Sequence, residues 1–149
     1  MAKVSVLEQL SLNSELKMTP LRKDVLEIFL ASTLPLSAYE VLALLKKRRP
    51  TAEPPTVYRV IEYFVEKKLI HRIETSNKFV CCSHLDNFES SYHGVLFLCH
   101  ECQRSYEIRD DEMLKVLSKF SKKHHLVIDE SLIEIKGTCE SCLHKKHNT

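Results

Sequence analysis

Apolar residues recur at helical spacing through the first half of the chain, and strand-like runs begin only after Lys68. From Met1 to Leu16, spaced apolar residues with Glu8 and Glu15 among them predict an amphipathic helix. Thr19-Pro20 then sets an N-cap residue before a proline at the first helical position, where its missing N–H costs nothing. Val25, Ile28 and Phe29 continue that helix. Ser37-Ala38-Tyr39-Glu40 reads as a capping box, with Leu36 and Val41 placed for a hydrophobic staple. Val41, Leu44 and Leu45 supply its expected buried stripe, and Pro50 stops it after the basic run Lys46 to Arg49. Pro54-Pro55 opens the next helix, with Val57, Ile61, Phe64 and Val65 toward a core and Thr56, Arg59 and Tyr63 on the opposite face.

Leu69 to Glu74 and Lys78 to Cys82, joined by Thr75-Ser76-Asn77, predict a hairpin. Helices followed by a hairpin is the order of a winged helix-turn-helix. The second half changes character. Gly94 to Leu98 and Arg104 to Ile108 read as strands around Cys99-His100-Glu101-Cys102. Asp110 can cap a helix running to about His124, with Met113, Val116, Leu117 and Phe120 on its inner side. Leu126 to Lys136 reads as one long strand that leads to Gly137, Cys139-Glu140-Ser141-Cys142 and a C-terminal tail holding His144 and His147. The expected fold class is α+β: a winged-helix domain over residues 1–83, a polar hinge at 84–92, and a small α/β domain over 93–149.

Composition narrows the class. The hydrophobic share is 44%, and only two glycines argue against a low-complexity chain. No apolar run approaches the ~20 residues that span a bilayer. The first residues read as an amphipathic helix and not as a signal peptide, so a cytoplasmic protein is expected. The net charge of +2 conceals an asymmetry. Residues 1–83 carry 13 Lys+Arg against 9 Asp+Glu, a balance of +4, and the remainder carries 9 against 11, a balance of −2. Only the first half is suited to face a polyanion.

Six cysteines in a reducing compartment point to metal and away from disulfides. Each C-x-x-C sets two thiolates on one tight turn. The four of Cys99, Cys102, Cys139 and Cys142 satisfy tetrahedral zinc with no open position, which marks a structural site. A thiol oxidoreductase would need one such pair opening a helix after a strand, together with a nucleophile–base arrangement that the sequence does not offer. A protein-binding zinc ribbon is the other competing class.

Pro55-Thr56-Val57-Tyr58-Arg59, an amphipathic helix, a hairpin and two C-x-x-C knuckles together resemble the ferric uptake regulator family, from about Lys17 to Cys142. Leu36-Ser37-Ala38-Tyr39-Glu40, Glu53-Pro54-Pro55 and Ser76-Asn77-Lys78-Phe79-Val80-Cys81-Cys82 are similar to its zinc uptake regulator branch. The resemblance implies a homodimeric, metal-dependent transcription repressor that binds the operators of zinc-uptake genes in double-stranded DNA. It implies no enzyme, no membrane partner and no small-molecule substrate. The second domain would then dimerise, and its two knuckles would hold one structural zinc per chain.

By periodicity, Thr56, Tyr58, Arg59 and Tyr63 are candidates to contact DNA, and Tyr39 joins them through the resemblance. Arg59 could pair bidentately with guanine, worth ~1–3 kcal/mol of discrimination. Lys46, Lys47, Arg48 and Arg49 would attract phosphates. A second, regulatory zinc is implied at His71, Cys82, His93 and Glu107, with Cys81 an alternative to Cys82 and His84 an alternative to His93. A thiolate in that set favours zinc over iron(II), although a regulator sensing iron or another divalent metal is the alternative. Ligands from both halves would close the hinge only when metal is present.

Overall fold

A computed structural model describes residues 2–83, 85, 93–129 and 131–148. The chain divides into two compact units, Met1–Asp86 and Asn87–Thr149. Apart from Leu85, the expected hinge at 84–92, His84 included, lies outside the described residues.

The first unit begins with α1 (Ala2–Leu12), α2 (Pro20–Ala31) and α3 (Ala38–Leu45). The starts of α2 and α3 are written in local chemistry. Thr19 accepts the Arg22 N–H at 3.3 Å, with Pro20 behind it. Ser37 accepts the Glu40 N–H at 3.2 Å, and its hydroxyl meets the Glu40 carboxylate at 3.2 Å. α4 (Pro54–Glu66) has no side-chain cap and starts on its two prolines. The hairpin β1 (Ile70–Ile73) and β2 (Lys78–Cys81) is antiparallel, with His71 opposite Val80 and Asn77 at φ 51° in the turn. Leu36 brackets Phe79 with two backbone hydrogen bonds of 2.9 and 2.7 Å, so the segment before α3 extends the wing.

One core holds the unit. Val25, Leu26, Val41, Leu45, Val57, Ile61, Phe64, Leu69 and Ile70 are at most 1% exposed. The phase of two stripes differs from expectation. α3 buries Leu42 and leaves Leu44 exposed, and α4 buries Val60 while Val65 is half-buried. The reason is that α3 packs against both α2 and α4, so its buried arc is wider and turned relative to a single stripe.

The second unit is a three-stranded sheet in the order β4-β3-β5, formed by β3 (His93–Cys99), β4 (Ser105–Ile108) and β5 (Ser131–Gly137). β3 pairs antiparallel with β4 and parallel with β5. Between β4 and β5 runs α5 (Asp111–Lys123), capped by Asp110, whose carboxylate accepts from Glu112 and Met113 at 2.8 and 3.2 Å. α6 (Glu140–His147) ends the unit.

Two expectations are corrected here. The long strand from Leu126 begins only at Ser131: His125 takes φ 55° as the chain leaves α5, and Val127 is 89% exposed. The C-terminal tail that holds His144 and His147 is the helix α6. The inner side of α5 is narrower than expected: Met113 and Leu117, with Leu114 and Ser121, are half-buried, whereas Val116 and Phe120 are 58% and 50% exposed. Its apolar stripe is real, but its own unit covers only part of it. No described helix is long and apolar enough to cross a membrane.

Candidate metal centre and nucleic-acid interface

The two knuckles meet at one edge of the sheet because β3 and β5 run parallel. Cys99 ends β3 opposite Gly137, the last residue of β5, so the turns after both strands leave side by side. The His100 N–H donates to the Gly137 carbonyl at 3.0 Å and ties the first knuckle to the second. A Cβ at Gly137 would stand 3.0 Å from two atoms of the Phe97 ring, so glycine permits this close approach. The first turn is closed by Gln103, at φ 62°, whose N–H donates to the Cys99 carbonyl at 2.9 Å.

All four sulfurs of Cys99, Cys102, Cys139 and Cys142 lie within 4.8 Å of one another, and Cys102 Sγ and Cys139 Sγ are 3.8 Å apart. Four sulfurs about 2.3 Å from a tetrahedral zinc would be separated by about 3.8 Å. Three of the four cysteines are buried. The donor set, its spacing and its closure fit a structural zinc.

The thiols are prepared unequally. Backbone N–H groups, that of Cys102 foremost, bring Cys99 down to about 6. A hydrogen bond from the Tyr106 hydroxyl lowers Cys139 and raises Tyr106 itself. Hydrogen bonding with Cys139, aided by burial, pushes Cys142 up to about 12. Thiols that bind a divalent cation would give up their protons on binding it. Around the cluster, Lys146 donates to Glu101 at 2.7 Å, and His100 meets Glu101 at 3.3 Å. Tyr106 was not singled out by spacing, because a hydroxyl facing a knuckle becomes visible only once β4 is paired to β3.

One local detail cuts against the sequence criterion. Cys139 is the N-cap of α6, so the second C-x-x-C does open a helix after a strand. Convergence of the other pair on the same point decides for metal over a dithiol, since a redox pair has no use for two more thiolates at van der Waals distance.

Of the sensing candidates, a ring nitrogen of His71 and Cys82 Sγ lie within 4.8 Å of each other in the first unit. Both residues are buried, and the Cys82 N–H donates to the Leu69 carbonyl at 2.8 Å, which fixes the thiol at the base of the hairpin. Cys81, its neighbour, is half-buried. Glu107 lies on β4 opposite Leu96 and is half-buried. His93 opens β3, and its side chain lies outside the described residues.

On the first unit, Thr56 and Arg59 are exposed on α4, and Tyr39 is 67% exposed at the start of α3. Tyr39 meets Tyr58 edge-on, with centroids 6.4 Å apart at 88°. Tyr63 is half-buried and engaged within the unit. Its hydroxyl accepts the Lys17 N–H at 3.0 Å, and the Arg22 guanidinium lies 3.6 Å from its ring centroid. The basic run is also partly committed: Arg49 meets Asp24 at 2.7 Å, and Arg48 pairs with Asp24 and Glu27. These pairs raise the Arg48 pKa, chiefly through Glu27. Lys46 and Lys47 are exposed.

Comparison with known proteins gives a consistent picture. The profile of the ferric uptake regulator family matches residues 13–136. The zinc uptake regulation protein of Escherichia coli strain K12 is 27% identical over 136 residues, covering 91% of this chain and 78% of that protein. A solved zinc uptake regulator complexed with zinc and DNA superposes with a TM-score of 0.87 at 25% identity, covering 99% of both chains. The holo form of XcZur superposes with a TM-score of 0.81 at 26% identity, covering 96% of this chain and 98% of that one.

Proposed function

The chain belongs to the ferric uptake regulator family, and on that premise we propose that it is a zinc-responsive DNA-binding transcription repressor, acting on zinc-uptake genes as a cytoplasmic homodimer. The observation that carries this reading is the likeness over 99% of the chain to a regulator solved with zinc and DNA. The second unit serves as the dimerisation half. Val116 and Phe120 on α5, with Ile108 and Ile135 on the sheet, are 41–58% exposed, an apolar area that a second copy of the same chain would cover.

Two zinc ions per chain have separate duties. Cys99, Cys102, Cys139 and Cys142 hold the structural one, and His71, Cys82, His93 and Glu107 hold the regulatory one. When bound, zinc would supply a divalent charge that draws each ligand set together. The chain's own residues do the rest. His71 and Cys82 belong to the wing and Glu107 to the strand that follows the first knuckle, so a ligand set shared by both halves of the sequence couples metal supply to the DNA-binding unit. Switching a two-state equilibrium from 1:99 to 99:1 takes about 5.5 kcal/mol of differential binding. Ligands that join the site only in one state are the means to supply it. Thr56, Tyr58, Arg59 and Tyr39 form the reading face toward the major groove.

The test is an electrophoretic shift of a promoter duplex taken from a zinc-transporter gene. Retardation with zinc, reversed by a chelator, is expected. Equal retardation in both conditions would defeat the zinc-responsive reading, and retardation restored by iron(II) but not by zinc would replace the metal.

A further inference from the structure

Arg48 and Arg49 spend their charge on Asp24 and Glu27, so much of the basic run beside α3 is answered inside the protein. A different group of cations takes its place. Arg22 at the start of α2 lies over the ring of Tyr63, its guanidinium 3.6 Å from the centroid, and also donates to the Lys17 carbonyl. Lys67, at the C-terminal end of α4, holds its Nζ 5.9 Å from the same centroid. Among the described residues neither Arg22 nor Lys67 has a carboxylate partner.

We propose that Arg22 and Lys67, gathered on the ring of Tyr63, form a binding site for DNA backbone phosphate at the C-terminal side of the reading face. This rests on the DNA-binding reading above. Thr56, Arg59, Tyr63 and Lys67 recur at helical spacing on one face of α4. Arg59 and Lys67 are eight residues apart, about 12 Å along the axis. The major groove is about 12 Å wide. A helix that brings Arg59 to base edges therefore brings Lys67, and Arg22 beside it, to the groove wall, where the phosphates stand. Tyr63 acts here as a platform and not as a base reader. Its ring gives two cations a common, weakly hydrated seat, which lowers the cost of stripping water from them when a phosphate arrives. The Lys17 N–H to the Tyr63 hydroxyl, at 3.0 Å, holds the α1–α2 connection so that Arg22 stays over the ring.

The experiment measures affinity against salt for zinc-loaded, full-length protein on two probes: a mixed-sequence duplex, and a duplex selected by the wild-type protein from a random library. Arg22→Ala and Lys67→Ala should each weaken both probes by the same factor. Each should lower the salt slope by about 0.9 per bound copy of the chain, which is about 3-fold in affinity between 50 and 200 mM salt. Arg22→Lys should recover most of the slope. Wild-type slopes in Arg22→Ala and Lys67→Ala would overturn the proposal. So would a loss confined to the selected duplex, or an Arg22→Lys variant as poor as Arg22→Ala. A wild-type protein that selects no duplex from the library and does not bind the mixed-sequence one would instead overturn the DNA-binding reading itself.

Discussion

Replacing Cys139 by serine isolates the energetic role of the knuckles. Cys139 is buried, caps α6, and stands 3.8 Å from Cys102 Sγ, so the substitution removes one of four thiolates by exchanging a single atom. Beyond the cysteines, the second unit buries Val95 and Leu96 among its described apolar residues. Two such side chains contribute about 3–6 kcal/mol together, whereas a structural zinc contributes about 10–16 kcal/mol of apparent binding energy. The metal outweighs the core of this unit. The first unit keeps its own core, from Leu7 to Phe79, with no knuckle cysteine in it. Cys139→Ser should therefore release one zinc per chain, measured by elemental analysis. It should also abolish amide-exchange protection over 93–148 while protection over 20–81 persists, and convert the dimer to monomer in sedimentation. A variant that lost the zinc yet kept exchange protection and its dimer would refute the idea that the ion staples this half.

Other substitutions separate the remaining roles. Arg59→Ala should cost ~1–3 kcal/mol on a selected operator and little on mixed-sequence DNA, read by competition binding; equal losses on both would remove its base-reading role. Cys82→Ser should retain the structural zinc and the dimer but lose one ion per chain and zinc-dependent DNA binding. Two ions per chain and an unchanged zinc response would take Cys82 out of the sensing set. Phe120→Asp places a charge in the exposed apolar stripe of α5 and should yield monomers with full structural zinc content. A dimer of unchanged stability would show that another surface carries the assembly.

Local chemistry settled much of this protein in advance. Thr19-Pro20, Ser37 to Glu40 and Pro54-Pro55 start helices by interactions within a few residues, so their positions could be read directly and stand at those places in the structure. The two C-x-x-C turns likewise announce four thiolates, and the motif around Arg59 announces the family. What depended on distant neighbours could not be read. Whether Leu42 or Leu44 is buried on α3 depends on the angles at which α2 and α4 cross it. Whether Met113 to Phe120 is an inner or an outer stripe depends on what packs beneath α5. Arg22 and Tyr63 stand 41 residues apart, and no spacing rule links them. Only the packed structure shows that Tyr63 is a seat for cations, that Arg48 and Arg49 answer acids on α2, and that parallel pairing of β3 with β5 brings the two knuckles together. Short-range hydrogen bonds and ligand spacing are properties of the sequence; which charges remain available to a partner is decided by tertiary contacts.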